Sequence, residues 1–452
     1  MGFQLLEDDF QLEYSSAVAE NQPDKNRMTS ELSDFAARLL PHLRDTARRA
    51  QNNGFTKLAL ELFALQFWHN PAYRKICEAR LLTPEVVGHW TQIPAVPAAA
   101  FKELELTCLP PGERTVVFHS SGTTEQKPSR HYHSPESLKL YEASLLSWFL
   151  ENVLRDLRFT IYDLRFISLT PPPAQARHSS LVHMFETVRH KLGGASVPAS
   201  RSEFLGRVTA DGYWALNFDA VLAALSPRFE TPDARPHLLL GTAFSFVHLL
   251  DFLVERNLQF NLPAGSRVME TGGYKNRSRS IPKTELHALI TERLGIPSES
   301  IICEYGMSEL GSQAYDGIIQ ADDLNLPHPG PLPKERENHR QSAGAMTMTG
   351  DFEERPLLFP LPGGEGQGEG KRAVKPHYFR FPSWARVQIV SPETGRELAE
   401  GETGLIRVFD LANVFSVAAI QTEDLGIRRG DGFELVGRAQ FAEPRGCSLM
   451  TA

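Results

Sequence analysis

Residues 118–124, Phe-His-Ser-Ser-Gly-Thr-Thr, gather hydroxyl side chains around a glycine directly after a β-rich run. Such a loop can aim backbone N–H groups and the Oγ atoms of Ser120, Ser121, Thr123 and Thr124 at phosphate oxygens, while Gly122 permits close approach. Lys127 or Arg130 downstream can supply positive charge. The GxxxxGK[ST] spacing is absent, so this is not a Walker loop, and the same residues also suit an ordinary Ser/Thr turn.

A second candidate is Cys447, in Arg445-Gly446-Cys447-Ser448-Leu449. A thiolate is a nucleophile, Arg445 would lower its pKa, and Gly446 lets the tail move. The bland reading is a spare thiol. Cys303 follows Ile301-Ile302 and reads as a buried strand residue. Together with Cys77 and Cys108, these cysteines form no CxxC or Cys/His pairing, which argues against a disulfide framework or a zinc site. His178, His183 and His190 flank or lie on one helical pattern without HExxH and read as solvated or satisfied. The GGEGQGEG run mimics a phosphate loop but lacks the strand and helix that would frame one.

The elements that must position these residues follow from periodicity. Residues 1–27 read as a flexible extension, and 28–110 as a helical layer in which Ser30 or Ser33 caps the first helix. Between 111 and 320, TVVFHS, RFISL, HLLLG and SRVMETGG each precede a loop and then a helical pattern. Strand, loop and helix repeated in this way predict an α/β core with a parallel sheet flanked by helices, and ligands in the loops beyond the strands' carboxyl ends. Residues 321–372 are rich in Pro and Gly and read as a disordered insertion. From 373 to 452, alternation in WARVQIV, GLIRVFDL and RGDGFELVGRA predicts a small β-rich subdomain ending in the cysteine tail.

Composition narrows the partners. The 452 residues carry 47 Lys and Arg against 55 Asp and Glu, a net charge of −8, with no basic run longer than two. Neither nucleic acid nor anionic lipid is an expected partner. The apolar stretch 238–254 is broken by His248 and Asp251, so no membrane span is expected. The first residues are acidic where a secretory signal would be basic and then apolar, which makes the cytoplasm the expected compartment.

Taken together, the motifs resemble those of the adenylate-forming ligases, the superfamily of acyl-CoA synthetases, luciferases and peptide-synthetase adenylation domains. HSSGTTEQKPSR is similar to their phosphate loop, Glu304-Tyr305-Gly306-Met307-Ser308-Glu309 to their YGxTE motif, Thr422-Glu423-Asp424-Leu425-Gly426 to TGDLG, and Gly437-Arg438 to the GR that follows. Glu125, Ser308 and Glu423 depart from the usual Gly, Thr and Gly. SLTPPPAQARHSSLVHMFE, METGGYKNRSRSIPK and RGCSL narrow the resemblance to the LuxE-type acyl-protein synthetases, which activate a fatty acid with ATP and transfer it to their own cysteine.

That resemblance implies ATP and Mg²⁺ as cofactors and a fatty or aromatic carboxylic acid as substrate. An acyl-accepting reductase or acyltransferase would be the partner. It implies that Ser120, Ser121, Gly122, Thr123, Thr124 and Lys127 meet the triphosphate and that Glu309 reaches Mg²⁺. Gly272-Gly273 and Tyr305 would flank the adenine, Asp424 would accept the ribose hydroxyls, Arg438 would support the nucleotide, and Cys447 would take the acyl group. Read from the residues alone, Asp424 also suits a turn and Glu309 a helix-start carboxylate. The apolar 165–195 and 238–252 segments are expected to line the acyl pocket. The family's full C-terminal domain carries a lysine that bridges carboxylate and phosphate, whereas 14 residues follow Arg438 here. The expected substitutes for that charge are Arg130, His131, Lys275, Arg277 and Arg279. Transfer to coenzyme A and a non-catalytic nucleotide-binding role are the alternatives.

Overall fold

Apolar residues spaced three and four apart make the first helix, α1 (Lys25–Arg44), which buries Leu32, Phe35, Ala36, Leu39 and Leu43. A computed structural model describes residues 25–44, 52–120, 127–154, 164–193, 202–226, 235–273, 278–316 and 378–439. The helix starts at Lys25, inside the segment read as an extension, so neither Ser30 nor Ser33 is its cap. Ser33 instead donates from Oγ to Glu136 at 2.7 Å. Helices α2 (Asn52–His69) and α3 (Pro71–Ala79) follow, and α3 begins where Asn70 Oδ1 accepts from the Tyr73 N–H and Pro71 needs no donor partner.

The TVVFHS run becomes β1 (Val116–His119) and pairs antiparallel with β2 (Arg130–His133), in register from Val116 opposite His133 to His119 opposite Arg130. Its expected place in the parallel sheet is therefore corrected. Only ten residues, 120–129, separate the two strands, too few for the helical crossover that a parallel neighbour requires. Helix α4 (Pro135–Val153) then starts at Ser134, which exchanges hydrogen bonds with Ser137 in a capping box.

The parallel sheet comes from β3 (Arg165–Ser168), β4 (Ser202–Phe204), β5 (His237–Thr242), β6 (Arg267–Thr271) and β7 (Ile301–Tyr305). With β8 (Ala314–Tyr315), which is antiparallel, the order is β8-β7-β6-β5-β3-β4. Helices α5 (Ser180–Gly193), α6 (Ala243–Glu255) and α7 (Lys283–Leu294) occupy the connections. Strand β5 is buried throughout, which is why it reads as an unbroken apolar run. Leu238 and Leu240 face one core with Phe166, Met184 and Phe185, while Leu239 faces another with Phe246, Leu250 and Leu286. Each such leucine contributes about 2 kcal/mol by leaving water.

The last described segment forms β9 (Ala385–Val390), β10 (Thr403–Asp410), β11 (Ala419–Arg429) and β12 (Gly432–Arg438), paired antiparallel in that order. Val96–Pro97 lies parallel beside the start of β11, so this sheet also holds a piece of the N-terminal region. The insertion expected at 321–372 and the tail after Ala439 lie outside the described residues.

Candidate active site

Two parallel strands end where the chemistry was expected. After β6 the chain turns at Gly272, whose φ of +74° is a backbone shape that glycine alone adopts freely, and continues into Gly273. After β7 it runs through Gly306 to Glu309, with no helix beginning there among the described residues, so a helix-start role for Glu309 is set aside.

Tyr305 is 2% exposed. Its hydroxyl donates to Asp424 Oδ2 at 2.9 Å. Its ring is enclosed by Phe433, Phe379 and Phe381, with centroids at 5.3, 6.0 and 6.3 Å. Asp424 is in strand β11 and not in a turn, because Thr422 Oγ1 bonds the Ile406 carbonyl across the sheet at 2.8 Å and the strand continues to Arg429. Arg438 lies opposite Asp424 in register, its Nε 3.4 Å from Asp424 Oδ1, and its Nη2 donates to Glu423 Oε2. That 3.4 Å is ion-pair range without hydrogen-bond geometry.

Glu309 is 1% exposed. Oε2 accepts from Ser308 Oγ at 3.1 Å, and its backbone carbonyl accepts from Asn413 Nδ2 at 2.9 Å. Oε1 has no hydrogen-bond partner among the described residues. A buried carboxylate oxygen without a donor is costly, and a hard cation is the partner that such an oxygen suits. Among the described residues no cluster of three or more His, Cys, Asp and Glu could hold a metal. Magnesium, which takes one or two carboxylates and completes its shell with phosphate and water, does not need one.

The carbonyl of Ser308 meets His131 Nδ1 at 2.7 Å, which makes Nδ1 the protonated nitrogen. Burial holds this imidazole below its usual range, opposed by the Ser308 carbonyl and Glu309. Residues 305–309 thus touch the hairpin that carries the hydroxyl loop through His131, and β11 through Asp424. Ser120 stands at the start of that loop, and its Oγ accepts from the Ser129 N–H at 3.0 Å. Ser121, Gly122, Thr123, Thr124 and Cys447 lie outside the described residues.

No family profile matches the sequence. A curated relative, the long-chain-fatty-acid–luciferin-component ligase of Vibrio harveyi, is 22% identical over 410 residues, 87% of this chain and 86% of the relative. The solved structure of 2-hydroxyisobutyryl-CoA ligase with 2-HIB-AMP and CoA superposes with a TM-score of 0.54 at 12% identity, covering 86% of this chain and 69% of that one. Its open conformation gives 0.53 at 11%, covering 88% and 77%. The chain has the adenylate-forming ligase fold. The resemblance to acyl-protein synthetases drawn from the motifs stands with it.

Within this adenylate-forming fold the described cations expected near the phosphates have the following partners. Lys127 pairs with the exposed Glu103 at 2.9 Å. Arg279 pairs with Asp251 and Glu285, and His131 Nδ1 bonds the Ser308 carbonyl. Lys275 and Arg277 lie outside the described residues. Arg130, the other described candidate, has a buried Nε without a hydrogen-bond partner among the described residues. In the 165–195 and 238–252 segments, expected to line an acyl pocket, many of the described apolar side chains are packed into the two cores.

Two buried carboxyls went unassigned in the sequence. Glu304 accepts from the Thr271 hydroxyl, and a side chain at position 306 would displace its Oε1. Burial pushes Glu304 up to about 7, against the Thr271 hydrogen bond and with help from Glu270. Asp410 accepts from Ser312 Oγ at 2.8 Å and from the Ala412 N–H at 3.0 Å, and burial lifts it to about 6. Ser312 in turn meets Ser144 of α4 at 2.9 Å and Trp384 Nε1 at 3.2 Å. Partners so far apart in sequence leave no periodic signal. Position 304, inside a recognised motif, was the only cue.

Gln66 of α2 holds the other side. Its Nε2 donates to the carbonyls of Asn413, at 2.7 Å, and of Ser416, and its Oε1 accepts from the Ala418 N–H at 3.0 Å. Since Asn413 in turn grips Glu309, the N-terminal helices help to place the acid.

Proposed function

We propose that this protein activates a fatty acid as its acyl adenylate and passes the acyl group to Cys447. In the first half-reaction a carboxylate oxygen attacks the α-phosphorus of ATP. An O–P bond forms, the bond to the bridging oxygen breaks, and pyrophosphate leaves. In the second, the Cys447 thiolate, its proton released to solvent, attacks the acyl carbon of the mixed anhydride. A C–S bond forms, the C–O bond breaks, and AMP leaves. The thioester then serves a reductase or acyltransferase, in the cytoplasm. Among the described residues no helix is long and apolar enough to cross a membrane.

The observation that carries this reading is the buried, unpartnered Oε1 of Glu309 on a stretch bonded to both the hairpin and Asp424. Magnesium held by Glu309 and phosphate oxygens would neutralise the charge that develops on the leaving group. Ser120, Ser121, Gly122, Thr123 and Thr124 take the phosphates, Asp424 the ribose, and Gly272-Gly273 one face of the base. Tyr305, enclosed by phenylalanines, acts through Asp424 and not over the base. The fatty-acid ligase of Vibrio harveyi supports the substrate class.

Coenzyme A as acceptor is the second reading, supported by the 2-hydroxyisobutyryl-CoA ligase with CoA bound. Intact mass after incubation with Mg·ATP and mixed fatty acids separates the two. An increment removed by hydroxylamine and absent from Cys447→Ser is expected. No covalent increment, with acyl-CoA formed when CoA is added, moves the assignment to the second reading. Absence of pyrophosphate exchange into ATP with every acid would leave only a nucleotide-binding role.

A further inference from the structure

His119 and His178 stack with centroids 4.6 Å apart and planes 20° from parallel. The backbone fixes the pair twice: the His119 N–H donates to the His178 carbonyl at 2.9 Å, and His178 Nδ1 donates to the Val117 carbonyl at 3.1 Å. Arg130 faces His119 across the hairpin, and its Nε is buried without a hydrogen-bond partner among the described residues. Burial, then His178 and Arg130, hold the His119 imidazole below its usual range. Among the described residues no carboxylate pairs with any of the three side chains.

Three cationic or cationisable groups brought together with no counter-charge among the described residues favour an anion that joins them. Their position tells which anion. His119 and Arg130 adjoin Ser120 and Ser129, which a hydrogen bond from the Ser129 N–H to Ser120 Oγ brings together. His178 comes from the segment after β3, at the carboxyl end of the parallel sheet where ligands of such folds sit. A carboxylate brings one negative charge, whereas pyrophosphate brings several and offers the oxygen geometry that a guanidinium fork matches.

We infer that Arg130, His119 and His178 form the site that receives the pyrophosphate group of ATP and holds it as it leaves. The inference rests on the adenylate-forming reading and adds to it the side chains that meet the leaving group. In this site Arg130 supplies the permanent charge. The stacked imidazoles fix the shape, and His178, with Nδ1 committed to a carbonyl, presents a second N–H when protonated.

Calorimetric titration of the full-length protein with inorganic pyrophosphate, and separately with AMP, tests this. Arg130→Gln and His178→Gln are each expected to weaken pyrophosphate binding at least tenfold and to leave AMP binding within twofold, with Arg130→Lys recovering part of the loss. Circular dichroism melts verify folding, and Arg130→Lys carries the test should Arg130→Gln unfold. Variants that bind pyrophosphate as the wild type does, or that lose AMP in parallel, overturn the inference. So does a wild type with no affinity for pyrophosphate. If that wild type still exchanges pyrophosphate into ATP, the adenylate-forming reading survives without this site, and if it does not, both fall.

Discussion

Tyr305 and Asp424, 119 residues apart in sequence, meet through a single 2.9 Å hydrogen bond in a buried setting. The bond joins the end of the parallel sheet to the antiparallel one. Tyr305→Phe keeps the ring packing and leaves Asp424 Oδ2 without this donor, at a cost of about 1–3 kcal/mol. Urea denaturation should register that loss, and combining it with Asp424→Asn should give less than the sum of the single effects. Strict additivity would mean that the two side chains do not interact.

Glu309 separates stability from activity. Glu309→Gln removes a buried charge with an unpartnered oxygen, so without magnesium the thermal midpoint should hold or rise. Pyrophosphate exchange should fall at least a hundredfold, since the neutral amide is a poor ligand for the ion. An active Glu309→Gln enzyme would remove the acid from the metal site.

His131 is expected to act by position. His131→Ala leaves the Ser308 carbonyl without its 2.7 Å donor and should cost about 1–2 kcal/mol. It should also lower the exchange rate more than the affinity for ATP. His131→Asn, which can offer an N–H in nearly the same place, should restore most of both. Equal damage from Asn and Ala would show that ring packing, and not the hydrogen bond, matters.

The raised carboxyls fix a pH dependence with a definite sign. Glu304 near 7 and Asp410 near 6 bind protons more tightly folded than unfolded. Their contribution is complete below the ordinary carboxylate range, about 4, and is lost as pH rises through about 6 to 7. Between pH 5 and 8 the wild type should therefore lose stability relative to Glu304→Gln and Asp410→Asn, a difference read from denaturation midpoints, while the buried histidines His131 and His133, held low, act with the opposite sign in all three proteins. A difference that stays constant with pH for both variants would show that neither group is perturbed as described.

Much of the architecture was legible in the sequence because strands buried on both faces, such as β5, must read as apolar runs. The misreadings have local physical causes. TVVFHS is as apolar as a sheet strand, and only the short return to Arg130 reveals a hairpin. TEDLG looks like a turn because Asp and Gly favour turns, yet flanking ladder bonds hold it extended. His119 and His178 come from different elements, and no spacing rule links them.

Gln66 carries a practical consequence. Because one amide from the second helix clamps the loop whose Asn413 grips Glu309, the segment before residue 110 is no detachable preamble. A shortened version starting at the hairpin would keep every recognisable signature of the proposed centre and still lose the brace that fixes Glu309. Any minimal working fragment must begin upstream of α2.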